Sequence, residues 1–178
     1  MFHVQVDSEI DLRLLQPRHA EPLFALVEQN RDYLREWLPW VDGTRSADDS
    51  EQFIQHSLQQ FADGNGFSAG IWYRSELAGC IGFHDPDRAK VELGYWLAEP
   101  FQGKGIMTRA CHRVVTYAFS ELMLNRVQIF AAATNHKSRA VPERLGFKQE
   151  GMLRETEWLY DRFIDLVVYG VLAQEWSE

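Results

Sequence analysis

The sequence predicts a single α+β domain over residues 1–178, with a mixed, largely antiparallel sheet flanked by helices. Two observations lead to this fold class. Segments in which apolar residues recur at every second position alternate along the chain with segments in which they recur at every third or fourth, the periods of strands and helices. Two pairs of strand-like segments are joined by short polar turns, which is typical of antiparallel hairpins. With 46% hydrophobic residues, the chain can bury one core of its own.

The first part of the chain predicts a strand followed by two helical pieces. Residues 10–14 alternate apolar and polar side chains and are followed by Pro17, as expected of a strand that stops there. Helical spacing then covers residues 17–27 and continues in a second piece over residues 33–39.

A third helix and a hairpin are predicted next. Ser46 and Asp49 are spaced as a capping box, which favours a helix start, and the glycines of residues 64–66 favour its end. A hairpin of residues 67–73 and 77–83 and a charged loop of residues 84–90 follow.

The second half predicts the remaining strands and helices. In order, they are a strand at residues 91–97, a helix at residues 106–118, a strand at residues 126–132, a helix capped by Asn135 and ended by Gly146, and a hairpin of residues 148–158 and 163–172. The last strand is apolar on both faces, so something should cover each face. A second copy of the chain could supply part of that cover.

The corner between the strand at residues 91–97 and the helix at residues 106–118 is the candidate binding element. Gly103 and Gly105 permit positive φ angles there, so the N–H groups of residues 103–107 can converge at the positive end of the helix dipole and bind phosphate. The alternative is a tight turn without a ligand. The spacing matches neither a nucleoside triphosphate loop nor a dinucleotide fingerprint, and it therefore favours another pyrophosphate.

Composition narrows the classes of partner. The net charge of −8 gives no basic face for nucleic acid and favours a cationic substrate. Cys80 and Cys111 lie in apolar patterns and are expected to be buried free thiols, which suits a reducing cytoplasm. The sequence has no signal-like N-terminus and no apolar run that could span a membrane. His56 lacks companions at metal-ligand spacing, so no metal site is expected.

Four motifs resemble, in order, the acetyl-CoA motifs of the GNAT N-acetyltransferases, and among these the RimJ/RimL type of protein N-acetyltransferases. They are Glu92-Leu93-Gly94-Tyr95-Trp96-Leu97, Gln102-x-x-Gly105, Asn135-x-x-Ser138 and Glu143-Arg144-Leu145-Gly146-Phe147. The likeness covers nearly the whole chain. It implies the GNAT fold, acetyl-CoA as cosubstrate, and transfer of acetyl to an amine, most often the N-terminal α-amine of a ribosomal protein.

The resemblance also implies where acetyl-CoA binds. The strand that ends at Leu97 is expected to splay from its parallel neighbour, so that the pantetheine arm pairs with its backbone and the Leu97 N–H donates to the thioester carbonyl. The cofactor-binding residues implied are Trp96, Leu97, Gln102, Gly103, Lys104, Gly105, Ile106, Met107, Thr108, Asn135 and Ser138. Met107 replaces a small residue of the family pattern, but the expected contact there is through the backbone.

Three residues are candidates for the chemistry. The chain has Pro142 where many GNAT enzymes have a tyrosine acid, and the resemblance to RimJ/RimL enzymes assigns that role to Ser138, one helical turn earlier. The alternative for Ser138 is a purely local bond to the backbone. An amine is largely protonated at neutral pH, so a base is needed. The resemblance implies Glu157 as the first candidate for that base and Glu92 as the second; the alternatives are that both are solvated carboxylates and that bulk water accepts the proton.

The sequence gives less information about the residues that bind the amine acceptor. Trp37 and Trp40 continue the helical spacing of the second piece, and the resemblance implies that the first two helices line the acceptor cleft, although aromatic residues at this spacing more often pack in a core. With no cysteine expected in the cleft, acetyl should pass directly to the amine. Two other functions remain open. One is acetylation of a small amine such as a polyamine, an amino acid or an aminoglycoside; the other is a non-catalytic acyl-CoA sensor.

Overall fold

The computed structural model describes residues 3–84, 87 and 89–177, and their strands form one eight-stranded sheet. The strands are β1 (His3–Gln5), β2 (Ile10–Leu14), β3 (Gly66–Tyr73), β4 (Glu76–His84), β5 (Val91–Leu97), β6 (Arg126–Ala132), β7 (Lys148–Leu159) and β8 (Arg162–Leu172). The α-helices are α1 (Ala20–Gln29), α2 (Arg31–Arg35), α3 (Ala47–Ala62), α4 (Ile106–Ser120) and α5 (His136–Arg144). None of the described helices is long and apolar enough to cross a bilayer.

The strand order is β1-β2-β3-β4-β5-β6-β8-β7. Each neighbouring pair is antiparallel except β5 and β6, which run parallel with α4 as their crossover. The predicted mixed, largely antiparallel sheet is therefore confirmed, and so is each predicted hairpin.

Helix ends follow the local signals read from the sequence. The Ser46 hydroxyl accepts from the Asp49 N–H at 3.4 Å, and the Asp49 carboxylate accepts from the Ser46 N–H at 2.9 Å, which completes the predicted capping box of α3. Gly146 adopts a φ of 78° directly after α5, a left-handed conformation that suits glycine at a helix end.

Two details differ from the sequence prediction. The second helical piece was expected to run as far as Pro39, but α2 ends at Arg35 and the chain turns through Trp37 to Pro39. The proline explains part of this, because its ring disfavours a helical conformation at the residue before it. The short edge strand β1 was not predicted, because three residues are too few to show a period. The expected loop at residues 84–90 includes residues 85, 86 and 88, which lie outside the described part.

The two faces of the sheet are covered by different helices. On one face, α4 packs its apolar stripe against the odd-numbered side chains of β5, including Val91 and Leu93, in the main core. On the other face, α1 and α3 pack against Trp72 and Cys80, and Trp96 of β5 points to that side. The alternation of β5 thus sends its even-numbered side chains toward α1 and α3.

The hairpin of β7 and β8 leaves apolar surface exposed at one edge of the sheet. Four large apolar side chains there are at least 45% exposed, namely Met152, Leu153, Trp158 and Phe163. One face of β8 packs into the main core. The expectation that a second copy of the chain covers part of the exposed face stays a prediction.

Candidate active site

The site begins where β5 and β6 part. The two strands pair only at Val91 with Val127 and at Glu92 with Gln128. From residue 93 to residue 97, β5 has no described partner on that side, while β4 continues to pair with it as far as Leu97. The result is a V-shaped gap in the sheet that widens toward the end of β5, the splay that the family resemblance implied.

Backbone N–H groups of β5 face this gap. The Ala98 N–H donates to the Ala78 carbonyl at 2.9 Å, and Leu97 lies opposite Gly79 in the antiparallel register. Because hydrogen-bonded and non-hydrogen-bonded pairs alternate in such a ladder, the Leu97 N–H points away from β4 and toward the gap. The same alternation directs the Tyr95 N–H to the gap.

The start of α5 is fastened to β5 across the gap. The Asn135 side chain accepts from the Ser138 N–H at 3.0 Å and caps the helix as predicted. The Tyr95 hydroxyl donates to the Ser138 carbonyl at 3.0 Å, and burial raises the pKa of Tyr95, so the phenol stays protonated.

Pro142 explains why the Ser138 carbonyl is available. The carbonyl would accept from an N–H four residues later, and a proline there has none. The carbonyl is therefore free of that bond, and Tyr95 uses it. The proline lies inside α5, in its second half. Within the described part of the chain, no hydrogen bond involves the hydroxyl of Ser138, which is half-buried.

The glycine corner has the predicted conformation. Gly103 and Gly105 have φ angles of 72° and 69°, and Gly105 occupies the N-cap of α4 with no side chain to cap it. Arg109 is the first residue of α4 whose N–H has an acceptor, the Gly105 carbonyl at 3.1 Å. No described residue accepts the N–H groups of residues 103–108, so this helix end presents unpaired donors.

Arg109 braces this corner from behind, which the sequence did not reveal. Its guanidinium donates to the Lys104 carbonyl at 3.2 Å and to the Gly105 carbonyl at 3.4 Å. It also donates to Asp7 at 2.6 Å and to Glu9 at 3.3 Å, in the turn before β2. Carbonyls held toward Arg109 leave the N–H groups of the corner free to face outward.

Gln102 connects the corner to α5. The Lys137 ammonium donates to the Gln102 side-chain oxygen at 2.9 Å, and it lies 5.7 Å from the Tyr33 ring centroid. Gln102 thus lies at the open end of the gap, between α2, which contains Tyr33, and the start of α5.

The two candidate bases come close together. Glu92 is exposed and Glu157 is half-buried. The pKa of Glu92 is raised by partial desolvation and by the nearby negative charge of Glu157. Desolvation also raises the pKa of Glu157. Alternation directs the Glu92 side chain to the face of α1 and α3, so both carboxylates lie on the side of the sheet where Trp96 points.

A cavity of about 440 Å³ lies on that same side of the sheet, between β4, β5, α1 and α3. Its apolar lining includes Leu23, Val27, Leu38, Trp40, Phe53 and Trp96. The rings of Trp40 and Trp96 have centroids 5.8 Å apart. Trp37, by contrast, is half-buried in the turn after α2 and is not on the described lining.

Cys80 also lines this cavity, so the expectation that no cysteine lies in the cleft was wrong. The thiol is buried, and burial raises its pKa to about 12. It is therefore protonated at neutral pH and a poor nucleophile. No group of three or more His, Cys, Asp or Glu side chains among the described residues is arranged to hold a metal ion.

Comparisons with known proteins agree with this geometry. Residues 9–148 match the acetyltransferase (GNAT) domain family. The chain is 46% identical to YdaF of Bacillus subtilis (strain 168), provisionally assigned as a ribosomal N-acetyltransferase, over 99% of this chain and 98% of that protein.

Two solved structures share the whole architecture. One is the microcin C7 self-immunity acetyltransferase MccE in complex with acetyl-CoA and AMP, with a TM-score of 0.91 at 30% identity over 95% of both chains. The other is RimL, a ribosomal-protein alpha-N-acetyltransferase in complex with coenzyme A, with a TM-score of 0.92 at 26% identity over 96% of this chain and 97% of that one. The chain therefore belongs to the GNAT acetyltransferase family and is an N-acetyltransferase.

Proposed function

We propose that the chain transfers acetyl from acetyl-CoA directly to the N-terminal α-amine of a ribosomal protein, in the cytoplasm. The observation that carries this proposal is the gap between β5 and β6, into which N–H groups of β5 point, beside the uncapped start of α4. The provisional assignment of YdaF and the name of RimL favour a ribosomal-protein acceptor.

The cosubstrate would occupy the gap and the corner. Its diphosphate would accept from the N–H groups of residues 103–108, with Gln102 holding the loop and Asn135 contacting the pantetheine end. The arm would pair with β5 as an added strand, and the N–H of Tyr95 or of Leu97 would donate to the thioester carbonyl. Trp96 points its side chain into the cavity on the other face, so we assign it to the acceptor together with Trp40.

Three proton-handling or charge-stabilising steps would complete the reaction. Glu157, directly or through a water, takes the proton from the ammonium, and the neutral amine attacks the thioester carbon. The β5 N–H group stabilises the negative charge that develops on the carbonyl oxygen. The C–S bond then breaks, the Ser138 hydroxyl protonates the departing thiolate, and the serine regains a proton through water as the acetylated nitrogen loses its second one. The high pKa of the Cys80 thiol favours this direct transfer over an acyl-cysteine intermediate.

The raised pKa of Glu157 predicts the acid side of the pH profile. The carboxyl must be ionised to accept a proton, so kcat/KM should fall as pH drops through a pKa above that of an ordinary glutamate. Glu157→Gln should lower kcat about tenfold near pH 7 and remove this limb, with bulk water as the replacement acceptor. Initial rates from pH 5 to pH 9 measure both effects.

Two matched variants serve as controls for the pH profile of Glu157→Gln. Glu155→Gln, on the same strand and exposed, should leave the profile unchanged. Glu92→Gln should leave the acid limb in place, because desolvation, and not the charge of Glu92, raises the pKa of Glu157. A Glu157→Gln enzyme with the rate and profile of the wild type would assign the base elsewhere.

A substrate panel tests the proposed function itself. Release of free thiol from acetyl-CoA should be fastest with peptides that carry the N-termini of ribosomal proteins. A small-molecule acceptor is the second candidate, since MccE was solved with AMP and the cavity here is lined by two tryptophans. Polyamines, aminoglycosides and aminoacyl nucleotides therefore belong in the panel. Acetyl-CoA binding without turnover of any amine would favour a sensor.

A further inference from the structure

The cavity beside β5 is large enough to receive part of a ligand. An apolar protein cavity of about 150 Å³ can hold one benzene molecule. The cavity here, at about 440 Å³, is nearly three times that volume. It can accommodate an indole, a phenyl ring or a branched aliphatic group with room to spare.

Two glycines line this space, for different reasons. Gly82 and Gly94 lie opposite each other on β4 and β5, and both line the cavity. A Cβ atom built on Gly94 would have no atom within 4 Å, so a side chain at this position would extend into open space. Gly82 is required by the fold instead, since a Cβ there would lie 2.1 Å from the Phe67 carbonyl oxygen.

Two carboxylates near the cavity give this region a negative charge. Glu92 lies two residues before Gly94 on the same face of β5, a distance of roughly 7 Å along the strand. Glu157 lies close enough for its charge to act on Glu92. A ligand suited to this arrangement has a cationic amine at the carboxylates and a bulky apolar group a few bonds away, in the cavity beside the contacting rings of Trp40 and Trp96.

We propose that this cavity is a specificity pocket for the acceptor, which receives an aromatic or branched aliphatic group within two residues of the attacking amine. The proposal rests on the acetyltransferase function proposed above and narrows its substrate class. N-termini whose first two side chains are small or acidic would be poor acceptors, because they would leave the apolar pocket unfilled or place a charge in it.

Peptides of one length test the preference in the wild-type enzyme. One series varies the first residue and the other varies the second, each through Ala, Ile, Phe and Asp. In at least one series, kcat/KM should be ten- to a hundredfold higher with Phe or Ile than with Ala or Asp, the range expected for filling an apolar pocket. Equal values throughout both series would overturn the proposal while leaving the acetyltransferase function intact.

A cavity-filling variant tests the location of the pocket. Gly94→Val adds a side chain that β-strands favour, in open space, at a position without a positive φ angle. It should lower kcat/KM at least tenfold for the Phe and Ile peptides and less than threefold for the Ala peptides. Gly151→Val, in β7, makes the same change where a Cβ also meets nothing, away from the cavity, and should leave the preference unchanged.

Controls separate this proposal from protein folding and from the proposed function. Calorimetry with acetyl-CoA should give wild-type affinity for Gly94→Val; if it does not, Gly94→Ala takes its place with a smaller side chain. An equal loss with all peptides would overturn the pocket.

If no peptide is acetylated, binding of two amines to the protein tests the pocket instead. Quenching of tryptophan fluorescence measures the binding of phenethylamine and of ethanolamine. Saturable binding of phenethylamine alone, lost in Gly94→Val, supports the pocket, and equal binding of the two amines overturns it.

Discussion

Gly105→Glu is expected to abolish binding of CoA and acetyl-CoA without unfolding the protein. A Cβ at this position would lie 4.0 Å from the Arg109 side chain, with nothing closer, so the folded chain can accommodate a longer side chain. The new carboxylate would compete with the diphosphate for the unpaired N–H groups at the start of α4 and repel it. Isothermal titration calorimetry measures the loss, and thermal unfolding verifies the fold.

The matched control for this variant is Gly105→Gln. Glutamine has nearly the same shape and the same unfavourable positive φ, which costs about 1 kcal/mol for a residue with a side chain, but it has no charge. It should retain most of the affinity for CoA. Full affinity in the glutamate variant would show that the diphosphate does not bind at this corner.

Ser138→Ala is expected to lower kcat by about ten- to a thousandfold, with little change in the KM for acetyl-CoA. The reason is that the thiolate would leave without its proton donor. The fold should be retained, because the Asn135 side chain caps α5 and Tyr95 binds the Ser138 carbonyl, and neither bond uses the hydroxyl. Steady-state kinetics with both substrates varied provides the measurement.

A conservative replacement distinguishes the proton donor from a structural role. Ser138→Cys keeps an ionisable hydrogen at the same position and should recover part of the rate lost in the alanine variant. Its thermal unfolding temperature should match those of the wild type and of Ser138→Ala. An alanine variant with unchanged kcat would remove Ser138 from the mechanism.

Strands with strict alternation could be located from the sequence alone. The predicted bounds of β2, β5 and β6 match the structure residue for residue, because each has a regular period of two beside a clear break. The length of α2 could not be predicted in the same way. Its apolar residues continue at helical spacing into a turn that tertiary packing and Pro39 impose.

The same distinction between local patterns and tertiary contacts applies to the candidate site. The glycine corner has a local signature that the sequence displays, whereas the splay of β5 from β6 was expected only from the family resemblance. Contacts between distant segments leave none. Neither the link between Lys137 and Gln102 nor the pairing of Gly82 with Gly94 can be inferred without knowing how the strands align. Trp37 and Trp40 looked equivalent in sequence, yet only Trp40 lines the cavity.

The brace at Arg109 has a practical consequence for anyone who immobilises this protein. Arg109, which binds the Lys104 and Gly105 carbonyls, also binds Asp7 and Glu9 near the start of the chain. Force applied through an affinity tag or surface tether at these residues would therefore be transmitted to the glycine corner. Met123 is 79% exposed in the turn after α4, and Cys80 and Cys111 are buried. A cysteine at position 123 therefore offers a thiol anchor far from that mechanical linkage.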